Sequence, residues 1–487
     1  MPIDRRGFIA CAGIVAIGSA CRPDGLLEVQ ADRFVQFRNK FKGTVILPDD
    51  ADYDRARAPA SFNPRTDKHP RFIARCMTAD DIVSALEFAR TQSLEVAVRS
   101  GGHDPLGASV CEGGIVIYLS EMKSIVIDRE HRTARVEPGV RASDLNTATS
   151  PHGLAAVLGC HPGVGVAGLT LGGGLGWLLG RFGAACDNLV SADVISADGK
   201  LRHASAGENA DLFWALRGGG GNFGIVTSLE YQLHPVDQVL GGLIAFRGDV
   251  ASFLRFYRDF MKAAPDALAA EMSIVMVDQP TILCRVCWSG DTTEGHRVLR
   301  PLREFGPPVA DAISSVPYAH LTDRPGPEFS VRVFGPPPAV APPAGMTYDY
   351  WKGGSLKELK DHAIEQIASA IANSSRGMSI GIGHHMHGQI CRVPDGATPL
   401  TRTSGQFTYF LDANWRNPAR AETAMAWVDD SWSAMRHFSS GSYVNYLSSN
   451  SEKSVRATYR GNNRRLVALK RKYDPTNVFH LNRNIRP

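Results

Sequence analysis

The sequence predicts an α+β fold in two parts. Three observations predict it. From Arg71 onward the chain alternates short apolar runs with one amphipathic stretch, in the order strand, helix, strand. Near Pro235 the texture changes to longer strand runs, helical runs and proline-rich stretches. The 48 glycines among 487 residues exceed the usual ~7% share and are clustered, most densely in three segments before this change.

Residues 24–60 are polar and mixed. Arg71-Phe-Ile-Ala-Arg75 reads as a short strand. Thr78-Ala-Asp-Asp81 is a capping signal for a helix from Ile82 to Gln92, which places Ile82, Ala85, Leu86 and Ala89 on one face. Strands follow at Leu94–Arg99, Ile115–Leu119, Ser124–Asp128 and Thr133–Glu137, with glycine turns at 101–102 and 113–114. Arg141 to His152 reads as helix. Beyond Pro235, strand runs at Met272–Met276 and Gln406–Leu411 and a helical run from Leu356 to Ala370 indicate a second domain, interrupted by the proline-rich segments 324–327 and 335–343. A basic helix, Arg464–Tyr473, ends at Asp474-Pro475. No internal repeat is visible.

A hydrophobic fraction of 44% and a charged fraction of 21% exclude disorder, a coiled coil and a collagen-like chain. The net charge of +4, from 53 basic and 49 acidic residues, is too small in so long a chain to indicate a nucleic-acid partner. The apolar run Phe8–Ala20 is shorter than the ~18–20 residues a membrane span needs. Arg5-Arg6 before it and Gly18-Ser19-Ala20 at its end make residues 1–21 a twin-arginine-type signal, so the expected location is periplasmic or secreted. Lipid attachment at Cys21 is the lesser alternative, because Gly18 stands where a lipoprotein signal has leucine. Nine scattered cysteines form no disulfide framework. Cys284 and Cys287 lie in the strand-like run Thr281–Trp288, where residues three apart face opposite ways, so they read as structural thiols.

Three glycine segments carry the chemistry. In Val98-Arg99-Ser100-Gly101-Gly102-His103-Asp104 a strand ends in a turn whose backbone N–H groups can form an anion nest beside His103. The bland alternative is a hairpin with a surface histidine. The run from Gly159 to Trp177 holds eight glycines interleaved with Val, Leu and Trp. It is too apolar for a flexible linker, and it has neither the strand–G-x-G-x-x-G–helix order nor the Gly-Lys-Ser/Thr of the common nucleotide loops. The third segment, Leu216–Thr227, feeds a strand through Gly218-Gly-Gly-Gly-Asn-Phe-Gly224. Three backbone-lined segments in one domain fit a long ligand such as a dinucleotide.

These segments resemble the flavin-binding domain of the vanillyl-alcohol oxidase/p-cresol methylhydroxylase superfamily, and more closely the berberine bridge enzyme-like oxidases. The terminal stretch is similar to that family as well: Tyr443-Val-Asn-Tyr446, Tyr459–Leu466, Lys472–Phe479 and Asn482. The resemblance covers about residue 62 to the end. It implies a two-part FAD-binding domain over 62–235, a substrate domain over 236–440 with an antiparallel sheet covered by helices, and a segment 441–487 returning to the FAD-binding domain. It implies FAD joined covalently through His103. A cysteine that makes a second flavin bond in many members is replaced here by His161, with Cys160 one place early; the bacterial 6-hydroxy-D-nicotine oxidases are similar at this point. A shifted register that lets Cys160 bond the flavin is the lesser alternative.

The resemblance places Arg99, Ser100, Gly101, Gly102, Asp104, Val164, Gly165, Gly168, Leu169, Gly172, Gly173, Gly174, Gly176, Asn222, Gly224, Ile225, Val226 and Asn445 about the cofactor, with Val164 small enough to admit oxygen. It offers Tyr446, with Tyr443 nearby, as the base, although an ordinary phenol of pKa ~10 needs a cation or relay for that role. The strand Met378–His387 would cover the flavin with Ser379, Gly381, Gly383 and His385 facing substrate. Its histidines face both ways, and no acid is adjacent in sequence, so no metal is expected. The function expected is an oxidase that takes hydride from a C–H beside an alcohol or amine of a small-molecule substrate and passes electrons to molecular oxygen. The alternatives are a dehydrogenase serving a quinone or cytochrome, and a flavin-binding protein without turnover.

Overall fold

The computed structural model describes residues 24–323, 326–334, 347–439 and 441–487. The segment expected to be an export signal, with Cys21, lies outside the described residues, as do most of the proline-rich segments. No helix among the described residues is long and apolar enough to cross a membrane.

Three sheets form the molecule. The first is four-stranded, in the order Thr44–Ile46, Phe72–Arg75, Ile115–Tyr118, Val96–Arg99, with the last three strands parallel. The helix Ala79–Thr91 covers it and starts as its sequence dictates. The Thr78 side chain accepts from the Asp81 amide, and the Asp81 carboxylate accepts from the Thr78 amide, a closed capping box. The polar stretch 24–60 is structured, which composition had not indicated: the helix Asp24–Lys40 packs Phe34 and Phe37, with Phe41 beyond its end, against Phe72 and Phe88. This domain therefore begins well before residue 62.

The second sheet is antiparallel, in the order Ile125–Asp128, Thr133–Val136, Ile225–Pro235, Leu189–Ile195, Leu201–Ser205, with Leu154–Ala156 paired beside it. The third has eight strands, in the order Ala310–Asp311, Gln238–Arg247, Pro280–Trp288, Leu268–Met276, Met378–His385, Phe407–Trp415, Tyr348–Leu356, with Ser314–Pro317 at one edge. Leu356 closes the last of these strands, so the helix expected from 356 begins instead at Asp361 and ends at Ala372.

Strand alternation decides what each face of the third sheet does. Met272, Ile274, Cys284, Val286, Ile380, Ile382, Tyr409 and Leu411 pack into one apolar core with the helices Val250–Lys262, Asp361–Ala372 and Ala421–Met435. Their strand neighbours Glu271, Arg285, Phe410 and Asp412 point the other way, into a cavity shared with the first two sheets. Cys284 and Cys287 are buried free thiols in different cores, as alternation requires.

The terminal helix Asn463–Tyr473 returns the chain to the first domain. Its Lys470 is completely buried. The ammonium donates to Asp474 Oδ2 at 2.6 Å, Asn222 O at 2.9 Å and Phe479 O at 2.8 Å, using all three of its hydrogens. Lys470→Met leaves the Asp474 carboxylate buried without its cation. The expected cost is about 3–5 kcal/mol, read from the denaturant midpoint.

Candidate active site

A cavity of about 1220 Å³ lies where the three sheets meet, above the ~300–1,000 Å³ of ordinary small-molecule pockets and therefore large enough for an extended ligand plus a substrate. All three glycine segments reach it.

The first segment follows strand Val96–Arg99. Ser100, Gly101, Gly102, His103 and Asp104 line the cavity. Gly102 has φ +71°, a conformation that favours glycine. Gly101 lies backbone to backbone with Gly165, and a β-carbon on either would overlap the other's main chain. Arg99, expected at the cofactor, faces away. Its guanidinium donates to Ala56 O at 2.6 Å and Ala58 O at 2.5 Å and stacks on Tyr118, so it secures the preceding loop.

The second segment divides. His161, Val164, Gly165, Gly168 and Leu169 line the cavity, and a β-carbon on Gly168 would meet nothing within 4 Å. Gly172, Gly173, Gly174 and Gly176 do not line it. Their missing side chains make room for Asn445, for Leu400 and Tyr443, for Ala185, and for the Leu158 carbonyl respectively. They serve close chain packing, not the ligand. The same division holds in the third segment: Gly224, Ile225 and Val226 face the cavity, whereas buried Asn222 donates to Gly219 O and Arg483 O and accepts from the Ile485 amide, tying down the tail.

His103 and His161 have ring centres 5.2 Å apart. Burial, and then the neighbouring His161, pushes the His103 imidazole down to about 4, so it is neutral at physiological pH. His161 is also lowered by burial, and its Nδ1 accepts from the Gly163 amide at 3.2 Å. The Cys160 thiol turns instead toward the third sheet, 3.3 Å from His384 Nε2.

Tyr443, Asn445 and Tyr446 complete one side. The Tyr443 hydroxyl accepts from the Gly174 amide at 2.8 Å and the Asn445 amide at 2.7 Å, and Asn445 also donates to Leu169 O at 3.0 Å. Burial pushes the Tyr446 phenol well up, and nearby Glu271 and Cys160 push it further.

The third sheet supplies groups that sequence patterning missed: Glu271, Arg285, Asp349, Trp351, His384, Phe410 and Asp412. Asp349 and Asp412 lie on paired strands, two residues apart in register and therefore on the same face. Burial raises both carboxyls, and each raises or shares with the other, so the pair holds a proton well above the usual carboxylate range. The face expected to carry Ser379, Gly381, Gly383 and His385 differs in two ways. The Phe410 ring lies over Gly381, and Thr408 stands against Gly383, so neither glycine nor Ser379 lines the cavity. A register irregularity between Ile382 and His385 then turns His384 inward, while His385 packs 4.5 Å from Phe407 on the helical side.

From the C-terminus, Phe479, Leu481, Asn482 and Arg483 close the cavity, with the buried Arg483 guanidinium paired to Asp104 and donating to Leu447 O at 2.7 Å.

The cavity fits FAD on two counts. The glycine backbone leaves a trough that side chains would fill, and Ser109 Oγ and Trp177 Nε1, on two lining residues, are buried without a protein partner. Comparison with known proteins agrees. An FAD binding domain model matches residues 70–205, and a berberine and berberine-like model matches residues 442–486. The FAD-linked oxidoreductase YgaK of Bacillus subtilis is 29% identical over 92% of this chain and 98% of its own. (R)-6-hydroxynicotine oxidase of Paenarthrobacter nicotinovorans is 37% identical over 56% of this chain and 60% of its own. Carbohydrate oxidase of Microdochium nivale is 27% identical over 91% and 92%. The crystal structure of 6-hydroxy-D-nicotine oxidase from Arthrobacter nicotinovorans superposes with a TM-score of 0.80 at 28% identity, covering 92% of this chain and 98% of that one.

The packing separates two kinds of glycine. Gly165→Ala drives a methyl into the Gly101 backbone and is expected to cost roughly 1–3 kcal/mol in the melting of flavin-free protein. Gly168→Ala, facing open cavity, is expected to change that stability by less than about 1 kcal/mol while lowering the flavin bound per chain, read from the visible spectrum.

Proposed function

We propose that the chain, which carries an FAD binding domain and a berberine and berberine-like segment, is a berberine bridge enzyme-like FAD-linked oxidase. It takes hydride from a C–H next to an alcohol or amine of a small molecule and passes the electrons to oxygen, giving hydrogen peroxide. The observation that carries this reading is the Asp349–Asp412 pair, which lines the same cavity as His103.

When bound, FAD supplies the hydride acceptor. The residues supply the rest. Hydride can leave carbon only if the adjacent O–H or N–H gives up its proton. The carboxyl pair is suited to accept it, because two acids sharing one proton keep an unprotonated oxygen in a water-poor site. Tyr446, expected as the base, is poorly placed electrostatically: Glu271 and Cys160 oppose its ionisation, and no cation is among the groups acting on it. Its hydroxyl orients the substrate instead. His103, held neutral by burial, has a ring nitrogen free to bond the flavin, and covalent attachment would retain FAD outside the cytoplasm. The Arg5-Arg6 segment accords with export of protein already folded around its cofactor. Val164 on the cavity wall is small enough to let oxygen approach.

The reading is tested by anaerobic mixing with alcohols, sugars and cyclic amines, followed by oxygen. Bleaching by at least one compound, rapid recovery of colour and peroxide release are expected. Bleaching with sluggish recovery would instead indicate a dehydrogenase. Acid-precipitated wild type should stay yellow, and His103→Ala should release its flavin to the supernatant.

The carboxyl pair gives a separate expectation. Asp412→Asn should slow flavin reduction roughly 10²–10⁴-fold. In wild type, kcat/KM should fall as pH drops through the raised carboxyl pKa, because the proton acceptor must be ionised. Asp349→Asn removes the like charge, so Asp412 ionises more easily and this acid limb should move to lower pH.

A further inference from the structure

Three donor atoms from three distant segments converge on the cavity wall. Cys160 Sγ comes from the loop before His161, Glu271 Oε1 from strand Leu268–Met276, and His384 Nε2 from strand Met378–His385. The sulfur lies 3.3 Å from the imidazole nitrogen, and the carboxylate oxygen lies 3.4 Å from that same nitrogen. All three atoms are within 4.8 Å of one another.

Hydrogen bonds can join the three groups in pairs, since the thiol carries a proton of its own and His384 Nε2–H can donate to Glu271. A shared cation joins all three at once. Around a tetrahedral zinc ion, with bonds of about 2.3 Å to sulfur and about 2.0–2.1 Å to nitrogen and oxygen, the ligand atoms stand about 3.3–3.6 Å apart. The nitrogen–oxygen separation of 3.4 Å matches this, and the sulfur–nitrogen separation of 3.3 Å is a little shorter than the ~3.5 Å such a pair would have.

We propose that Cys160, Glu271 and His384 form a divalent cation site of the zinc type, with its fourth position open to the cavity. Three protein ligands plus one exchangeable position is the arrangement of a site that binds water or a substrate oxygen or nitrogen, not of a closed structural centre. A thiolate, an imidazole and a carboxylate together suit zinc better than magnesium or calcium. Burial keeps His384 neutral, the form that ligates. Arg285, the cross-strand neighbour of Glu271, donates to Leu321 O at 2.6 Å, which draws its guanidinium toward that carbonyl. The ligands are distinct from His103 and from the Asp349–Asp412 pair, but with the cation bound Glu271 and Cys160 would no longer oppose ionisation of Tyr446.

The sequence concealed the site. Cys160, Glu271 and His384 lie more than a hundred residues apart, and the acid reaches the histidine only because Leu268–Met276 pairs with Met378–His385.

The test uses flavin-loaded full-length protein, stripped with chelator, incubated with zinc chloride and desalted. Elemental analysis should find about one zinc per chain, with at least a tenfold loss in Cys160→Ser and in His384→Gln and none in Cys391→Ser, a half-buried thiol elsewhere. Glu271→Gln serves if His384→Gln does not fold, folding being judged by circular dichroism. Peptide mapping after iodoacetamide gives a second readout: zinc should slow alkylation of Cys160 roughly tenfold, and chelator should restore it. Less than about a tenth of an equivalent bound by wild type, equal retention by the variants, or unprotected Cys160 would each overturn the proposal.

Discussion

Lys470 has no exposed surface, yet each of its ammonium hydrogens has an acceptor. One acceptor is the carbonyl of Asn222, inside the third glycine segment, and another is the carbonyl of Phe479, on the tail. Asp474 answers by accepting from the amides of Val478 and Phe479. A buried charge is tolerable only when paired and hydrogen-bonded, so this cluster has one arrangement and little freedom. It sets where Asn482 and Arg483 stand, and Arg483 in turn reaches Asp104 beside His103. The cofactor trough is thus closed by the segment Phe479–Arg483, and its shape depends on that closure.

The cavity combines a neutral, backbone-rich half with a charged half. On the flavin side the glycine segments and two unprotonated histidines present few charges. On the third sheet, Glu271, Arg285, Asp349 and Asp412 line the cavity, while the opposite face packs mostly apolar side chains against helices. The sheet therefore does two jobs through one alternation: every second residue builds a core with the helices, and the residues between them build the reactive wall. Replacing a wall residue leaves the helical core untouched, which is why such a sheet can vary in chemistry without losing its fold.

The cofactor half was largely legible in the sequence. Glycine clusters interleaved with apolar residues, a histidine at a strand end, and the Tyr443–Tyr446 motif are all local signals, and those residues meet at the cavity. The wall was not legible. Glu271, Asp349 and Asp412 are single acids in apolar strands, and only β-pairing across long stretches of chain assembles them. Gly172, Gly173, Gly174 and Gly176 were misplaced for a different reason: glycine marks close approach, but sequence does not say whether ligand or protein approaches. His384 and His385 exchanged roles because strand alternation holds only while the register is regular, and it slips after Ile382. The helix Asp24–Lys40 escaped notice because its core contacts are a few phenylalanines in an otherwise polar stretch.

The ring of Phe410 rests on Gly381, directly across the strand pair, where no other residue leaves enough room. The floor of the pocket is therefore a two-residue unit. A bulkier group at 381 would tip the aromatic ring upward and narrow the chamber; a smaller group at 410 would leave a hollow that only a longer neighbour at 381 could fill. Divergence in the breadth of molecule accepted should then show up as paired replacements at these positions, never as drift at one of them alone.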